Sequence, residues 1–275
     1  MAPNKLKIAL GVAIAVALAS TGTGFVSLQT LKAGPPTFPN AAVRQPVARL
    51  TDDALETKKD DADGGEEVPG RDVASDKLQS WNNLRQIGLA MHKYHDTYGH
   101  FPTATIYDKN DKPLFSWRVA ILPFIDESDL YKEFRQEPWD SAHNKKLLAR
   151  MPAAYKAPGI KTNTPNTTYY QLIAGKGAIF DGMIEIKIPD IVDGTANTIL
   201  VMEAEKPVLW SKPADLTYDP DKPLPKFGGV FTDGFNFLSA DGAPHFCRNG
   251  FDEHRMRAAI TRAGGERVDL DNLQP

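Results

Sequence analysis

The chain has 275 residues, is mildly acidic with a net charge of −3 and a pI of about 6.1, and is 41% hydrophobic and 9% aromatic. That composition permits one or two domains with a real core. The balance of 32 Lys and Arg against 35 Asp and Glu excludes a nucleic-acid binder built on a basic face. The single cysteine, Cys247, excludes an intramolecular disulfide and a cysteine-based zinc cluster; a free cysteine ordinarily behaves as a small buried hydrophobe.

Lys5 and Lys7 precede an uncharged apolar stretch from Ile8 to Leu31, and about 20 such residues suffice to span a bilayer. Two readings compete. Ala17, Leu18 and Ala19 form an A-x-A site before Ser20, as in a cleaved signal peptide. Gly24, Phe25, Val26 and Leu28 continue the apolar run past that site, as in an uncleaved anchor, and the length favours the anchor. Lysines ahead of the span and none within it put the N-terminus in the cytoplasm and the remainder outside. From Lys32 to Asp76 the composition shifts to Pro, Gly and charge, with too little apolar surface to offset the entropy of ordering, so it reads as a disordered tether. Residues 1–31 are therefore expected to be a signal or membrane anchor, 32–76 a linker and 77–275 the folded domain.

In Lys77–Pro102 the large apolar residues fall at Trp81, Leu84, Ile87, Met91, Tyr94 and Tyr98, steps of three and four that line one helical face. Asn82, Arg85, Gln86 and Lys93 occupy the other face. Gly99 can adopt the left-handed conformation that closes a helix, and Pro102 cannot prolong one. Gly88, inside the helix, costs about 1 kcal/mol against alanine and so implies a close backbone neighbour. Thr103–Tyr107 looks extended, Asp108–Pro113 is a turn, and Pro123 interrupts the apolar run that follows. Short helices are predicted over Glu127–Phe134, capped by Ser128, and over Trp139–Pro152, capped by Asp140 or Ser141.

Beyond Pro152 the period drops to two, and Thr167–Ile173, Met183–Ile188, Asn197–Glu203, Gly234–Ala240 and Pro244–Cys247 read as strands. Asp241-Gly242 signals a tight hairpin, and Glu253–Arg262 a last helix. Helix first, antiparallel sheet later and helix last is an α+β order.

NLRQIGLAMHKYHDTYGHFP, SWRVAILPFID, LYKEFRQEPWDSAHNKKLLARMP, DIVDGTANTILVMEAE, LSADGAPHF and RAAITRAGGERVDLD together resemble the bacterial domain of unknown function 1559, a family expanded in planctomycetes. The resemblance spans nearly all of residues 78–270 and implies a pilin or pseudopilin-like head, a long N-terminal helix packed on an antiparallel β-sheet, here behind an N-terminal membrane helix. It implies no established activity. The chain departs from the pattern in lacking a prepilin cleavage signature and in separating the apolar segment from the long helix. Both features weigh against assembly into a filament. Phe231 stands at the histidine position of the C-terminal His-x9-Asp-Gly pattern, and Ala157 where a cysteine is expected near Lys156 and Pro158.

His92, His95 and Asp96 share one helical face at the spacing a metal site uses, with His100 beyond the cap. Packing near the buried stripe and polar contacts at the helix end explain them as well, and HxxHD is not HExxH. Glu203 and Glu205 point to one face of a strand, and with Asp215 and Asp219 could supply a hydrolytic carboxylate pair; solvated strand-end charges are the plainer account. Asp193-Gly194-Thr195 reads as a turn in which Asp193 bonds nearby backbone N–H groups. The sharper alternative is a calcium loop using Asp181, Asp190, Asp193 and Asp241, since calcium takes loop oxygens. No GxSxG elbow, phosphate loop or dinucleotide fingerprint is present.

The expectation is thus a single-pass protein of the cytoplasmic membrane whose domain lies on the periplasmic side, without catalytic or metal residues and without a cofactor, calcium apart. It would meet the membrane through its N-terminal helix and an envelope protein or polysaccharide outside, with Trp117, Trp139 and Trp210 suited to a binding face. The alternative is an envelope hydrolase or carbohydrate-active enzyme using Glu203 and Asp215.

Overall fold

The computed structural model describes residues 72–160 and 164–275. The anchor and nearly all of the linker expected for the N-terminal region lie outside the described residues. Among the described residues, no helix is long and apolar enough to cross a membrane.

The first helix, α1, is Val73–Tyr98. It starts four residues ahead of the expected boundary, inside the stretch read as linker, because Asp72 caps it: the Asp72 carboxylate accepts from the N–H groups of Ala74 at 3.1 Å and Ser75 at 3.2 Å. Gly99 closes it at φ 82°, as the sequence predicts. Strands β1 (Thr105–Tyr107) and β2 (Pro113–Ser116) form an antiparallel hairpin around a turn in which Asp108 accepts from Asn110 and Lys112. Ser116 then caps a single turn, α2 (Trp117–Ala120), and Pro123 sits in the 3-10 turn Leu122–Phe124.

Helix α3 is Ser128–Glu133, but Ser128 is its first residue and makes no cap; Glu127 precedes it. The helix expected over Trp139–Pro152 is only α4 (Asn144–Leu147) followed by the 3-10 turn Leu148–Arg150. The buried Asn144 side chain is the reason: it donates to the carbonyls of Arg135 and Glu137 at 3.0 and 2.9 Å, so residues 135–143 fold around it as a loop.

Four strands make the main sheet: β3 (Thr167–Gln171), then, after the short β4 (Ile173–Gly175), β5 (Ile199–Leu209), and, after β6 (Leu216–Tyr218), β7 (Gly234–Ser239) and β8 (Pro244–Arg248). Their order is β3-β5-β7-β8, antiparallel throughout, with the Asp241-Gly242 hairpin joining the last two. Strands β4 and β6 pair in parallel in a sheet of their own; β6 went unpredicted. Residues Met183–Ile188 are not a strand. Phe101 N–H takes the Ile186 carbonyl at 2.8 Å and Ile188 N–H donates to His95 Nε2 at 3.2 Å, so the segment follows the end of α1 rather than a sheet edge. The last helix, α5, is Glu253–Ile260, capped by Asp252.

Strand β7 is buried along its whole length because both sheet faces are covered. Leu238 belongs to the core that holds Leu84, Ile87 and Met91 of α1, whereas Phe235 and Phe237 belong to the core that holds Met256 and Ile260 of α5. The result is three layers, helix α1, sheet, helix α5, an α+β architecture in which a long helix lies on an antiparallel sheet. Gly88 makes the first layer possible, since a Cβ there would sit 3.0 Å from Leu238 and 3.3 Å from the Gly242 backbone. Trp81 does not share the buried stripe: it is 38% exposed at the flank, with its indole N–H on Asn236.

Candidate functional site

The strongest concentration of polar chemistry lies between α1 and the sheet. Glu203, on β5, has no exposed surface. Its Oε1 accepts from Ser80 Oγ of α1 at 2.5 Å and Asn236 Nδ2 at 3.2 Å, and its Oε2 from the Asn236 N–H of β7 at 2.7 Å. Ser80 Oγ is also 2.9 Å from the Tyr170 hydroxyl of β3, which accepts from Asn83 Nδ2 at 3.3 Å. Asn236 Oδ1 in turn accepts from Trp81 Nε1 at 2.9 Å. Three strands and α1 thus meet at one carboxylate whose donors are all neutral. Burial pushes Glu203 up to about 7, with the bonds from Ser80 and Asn236 pulling it back less strongly and Lys77 acting from further out. Tyr170 is pushed above its ordinary range by burial and by Glu203.

Asp215 stands in a second enclosed cluster. Its Oδ1 accepts from Arg118 at 2.8 Å, from Leu172 N–H at 2.9 Å and from Trp117 Nε1 at 3.1 Å, while Arg118 also donates to the Tyr170 carbonyl and to Ser116 Oγ. The Arg118 side chain is fully buried and that of Asp215 is 5% exposed. Burial pushes Asp215 up, and the Arg118 guanidinium opposes that push. Glu203 and Asp215 have separate donor sets on different elements, and every donor belongs to the protein. Both carboxylates are enclosed by the fold. Glu205, half-buried, faces Lys226 at 3.6 Å, and Asp219 bonds Lys222 at 2.8 Å at the rim of a half-open groove with Lys176 and Asp221. Solvated charge therefore describes Glu205 and Asp219 but not Glu203.

A third cluster escaped the sequence reading. Asp271 Oδ1 is 2.7 Å from His245 Nδ1, and His245 Nε2 is 3.2 Å from Ser239 Oγ, the order of a nucleophilic relay. Ser239 is wholly buried, however, and its hydroxyl lies closer to Asp241 Oδ1, at 2.5 Å, and to the Ala243 carbonyl, at 2.9 Å. The hydroxyl proton belongs to the hairpin, and His245, stacked on Phe237, ties the C-terminal segment to β8. A histidine three residues beyond an Asp-Gly turn was the available signal; its partner 26 residues on was not.

Of the helix-end histidines, His95 and His100 are hydrogen-bonded locally, whereas the buried Nε2 of His92 has no hydrogen-bond partner among the described residues. His95 Nε2 accepts from Ile188 N–H, which holds the ring neutral, and burial lowers its pKa, so the helix dipole is not what it serves. His100 Nδ1 is 2.8 Å from the Phe101 carbonyl, His92 and His95 both lie against the Phe101 ring, and Asp96 is exposed. The loop aspartates are likewise separately engaged: Asp181 with Gly177 N–H, Asp190 with Lys187 N–H, and Asp241 with Ala243 N–H. The expected turn forms, closed by Gly194 N–H on the Ile191 carbonyl at 3.1 Å, but the buried Asp193 carboxylate binds distant rather than nearby N–H groups, those of Gly264 and Gly265 at 2.6 and 2.9 Å. Among the described residues, no three His, Cys, Asp or Glu side chains come together as a metal site. Nor do the tryptophans make a face: Trp117 and Trp210 are wholly buried in the core, and Trp139 is half-buried. The large apolar residues that α1 does expose are Val73, Leu78, Trp81 and Leu89.

A long helix on an antiparallel sheet, with Glu203 and Asp215 turned inward, defines an α+β domain. The family described as Protein of unknown function (DUF1559) matches residues 74–231, and the chain belongs to that family. The match covers α1 and ends at Phe231, short of the Asp241-Gly242 hairpin. Neither the curated proteins nor the solved structures gave a match.

Proposed function

We propose that the protein is a membrane-tethered, extracytoplasmic pilin-like module with a binding or structural role in the envelope. The observation that carries this reading is the 26-residue helix α1 laid across the sheet through Gly88 and Leu238, as expected of a pilin-like head. The uncharged stretch Ile8–Leu31 behind Lys5 and Lys7 supports a single-pass anchor with the domain on the periplasmic side. The partners are then the cytoplasmic membrane and an envelope protein or polysaccharide. A hydrolase acting through Glu203 and Asp215 has no comparable support, because the protein itself occupies both carboxylates.

Fractionation tests this directly. The full chain is expected with the membranes, and protease added outside is expected to release a fragment beginning within residues 32–72. Recovery of a shortened form in the soluble periplasmic fraction overturns the anchor.

A further inference from the structure

We propose that Glu203 is a proton-operated latch between α1 and the sheet: protonated, it seals the N-terminal half of α1 onto β5 and β7, and ionised, it loosens that half of the helix.

The geometry of the junction carries this: a protonated Glu203 donates to Ser80 Oγ, whose own hydrogen turns to the Tyr170 hydroxyl, and it still accepts from Asn236. A carboxylate with no exposed surface is bonded only by neutral groups, so its charge, when present, is compensated by no guanidinium or ammonium among its hydrogen-bond partners. The contrast with Asp215, whose buried charge meets Arg118, lies in the same domain. The charged and titratable groups around Glu203 offset its charge only from a distance, with Lys77 the one cation that acts on it. On α1, Lys77 is engaged with Asp233, just ahead of β7, at 2.5 Å and lies over the Phe246 ring of β8. On β3, Tyr170 is a neutral phenol. On β5 itself, Glu205 is a second carboxylate, turned to Lys226. At the far end of α1, His95 is held neutral, which acts in the opposite direction but lies four turns from Ser80.

Direction follows from linkage. Glu203 is ordinarily ionised above about 4.5 and in the folded chain only above about 7, so the folded form holds an extra proton between those values. Its contribution to the closed helix is full at the acid end and is lost as pH rises toward 7. Opening that frees Glu203 becomes easier by up to roughly tenfold per pH unit across that window and levels off above it.

The test is amide hydrogen exchange on the full chain in membranes or detergent, read at residues 80–88 and corrected for intrinsic exchange. Protection is expected to fall by roughly ten- to a hundredfold from pH 5 to pH 7.5. In Glu203→Gln, a neutral isostere, it is expected to stay flat. Protection in the parent that does not change with pH overturns the latch, as does a Gln variant that keeps the parent's dependence. Should the Gln variant not fold, the carboxyl carbon of Glu203 in the parent decides: a midpoint near 7 upholds the latch, and one near 4.5 overturns it.

Discussion

Gly88 of α1 lies directly against Leu238 of β7, so that a methyl group at Gly88 would meet the Leu238 side chain at 3.0 Å and push it aside by a few tenths of an ångström. Alanine would gain about 1 kcal/mol in helix propensity, but its Cβ would meet a fully buried Leu238 and the Gly242 backbone. Overpacking of this kind costs about 1–3 kcal/mol. Gly88→Ala is therefore expected to lose on the order of 1 kcal/mol in a denaturant melt, and Gly88→Val clearly more. An alanine variant more stable than the parent would show that the Leu238 side chain yields to the methyl group without strain.

Leu84 is wholly buried in the core shared by α1 and the sheet. Leu84→Ala should cost about 2–5 kcal/mol, and Leu84→Asp should abolish folding, since an unpaired buried charge costs several kcal/mol. A cooperative melt of the Asp variant near the parent's midpoint would place Leu84 outside the core.

Arg118 and Asp215 make a buried ion pair, so removing one partner should hurt more than removing both. Asp215→Leu alone is expected to cost about 3–5 kcal/mol, because it leaves a buried guanidinium without its counter-charge. The double variant Arg118→Met with Asp215→Leu should recover part of that loss. Additive losses in a double-mutant cycle would deny the coupling.

His95 titrates in the opposite sense to Glu203. Its folded pKa lies below 6.5, so its contribution is present above that value and is lost as pH falls below it. Glutamine can also accept from Ile188 N–H. The melting temperature of His95→Gln relative to the parent should thus rise between pH 7.5 and pH 5.5; a constant difference would mean that the ring has no preference for its neutral form.

Zinc, calcium and chelator are expected to leave the melting temperature unchanged, since among the described residues no three His, Cys, Asp or Glu side chains converge. A native-state ligand at a hundredfold excess over Kd adds about 2.7 kcal/mol, so a site would register. A zinc-dependent rise abolished by His92→Ala and His95→Ala would reinstate the metal reading.

What the sequence made legible was the outer shape of the fold. The three-and-four spacing located α1, Gly99 its end, Gly88 its closest neighbour, and Asp241-Gly242 the final hairpin. Trp81 misled because a large apolar residue at the edge of a stripe can rest half-exposed on one hydrogen bond. Residues 183–188 alternate like a strand, yet Gly182 at φ 64° turns the chain toward α1, where no strand waits to pair. The enclosed carboxylates were harder. Glu203 sits within the otherwise apolar run from Ile199 to Ala204, which was a signal of burial, but its donors come from α1 and β7, and no local pattern reports them.

The same layering fixes an order in time. Trp81 and Asn236 stand 155 residues apart in the chain, and a ribosome adding roughly 5–20 residues per second needs on the order of ten seconds between them. Throughout that interval α1 has been made and the strand that covers it has not. Its apolar stripe is then open to any holding factor that grips an amphipathic helix, and such a factor meets Leu84, Ile87 and Met91 before β7 exists to claim them.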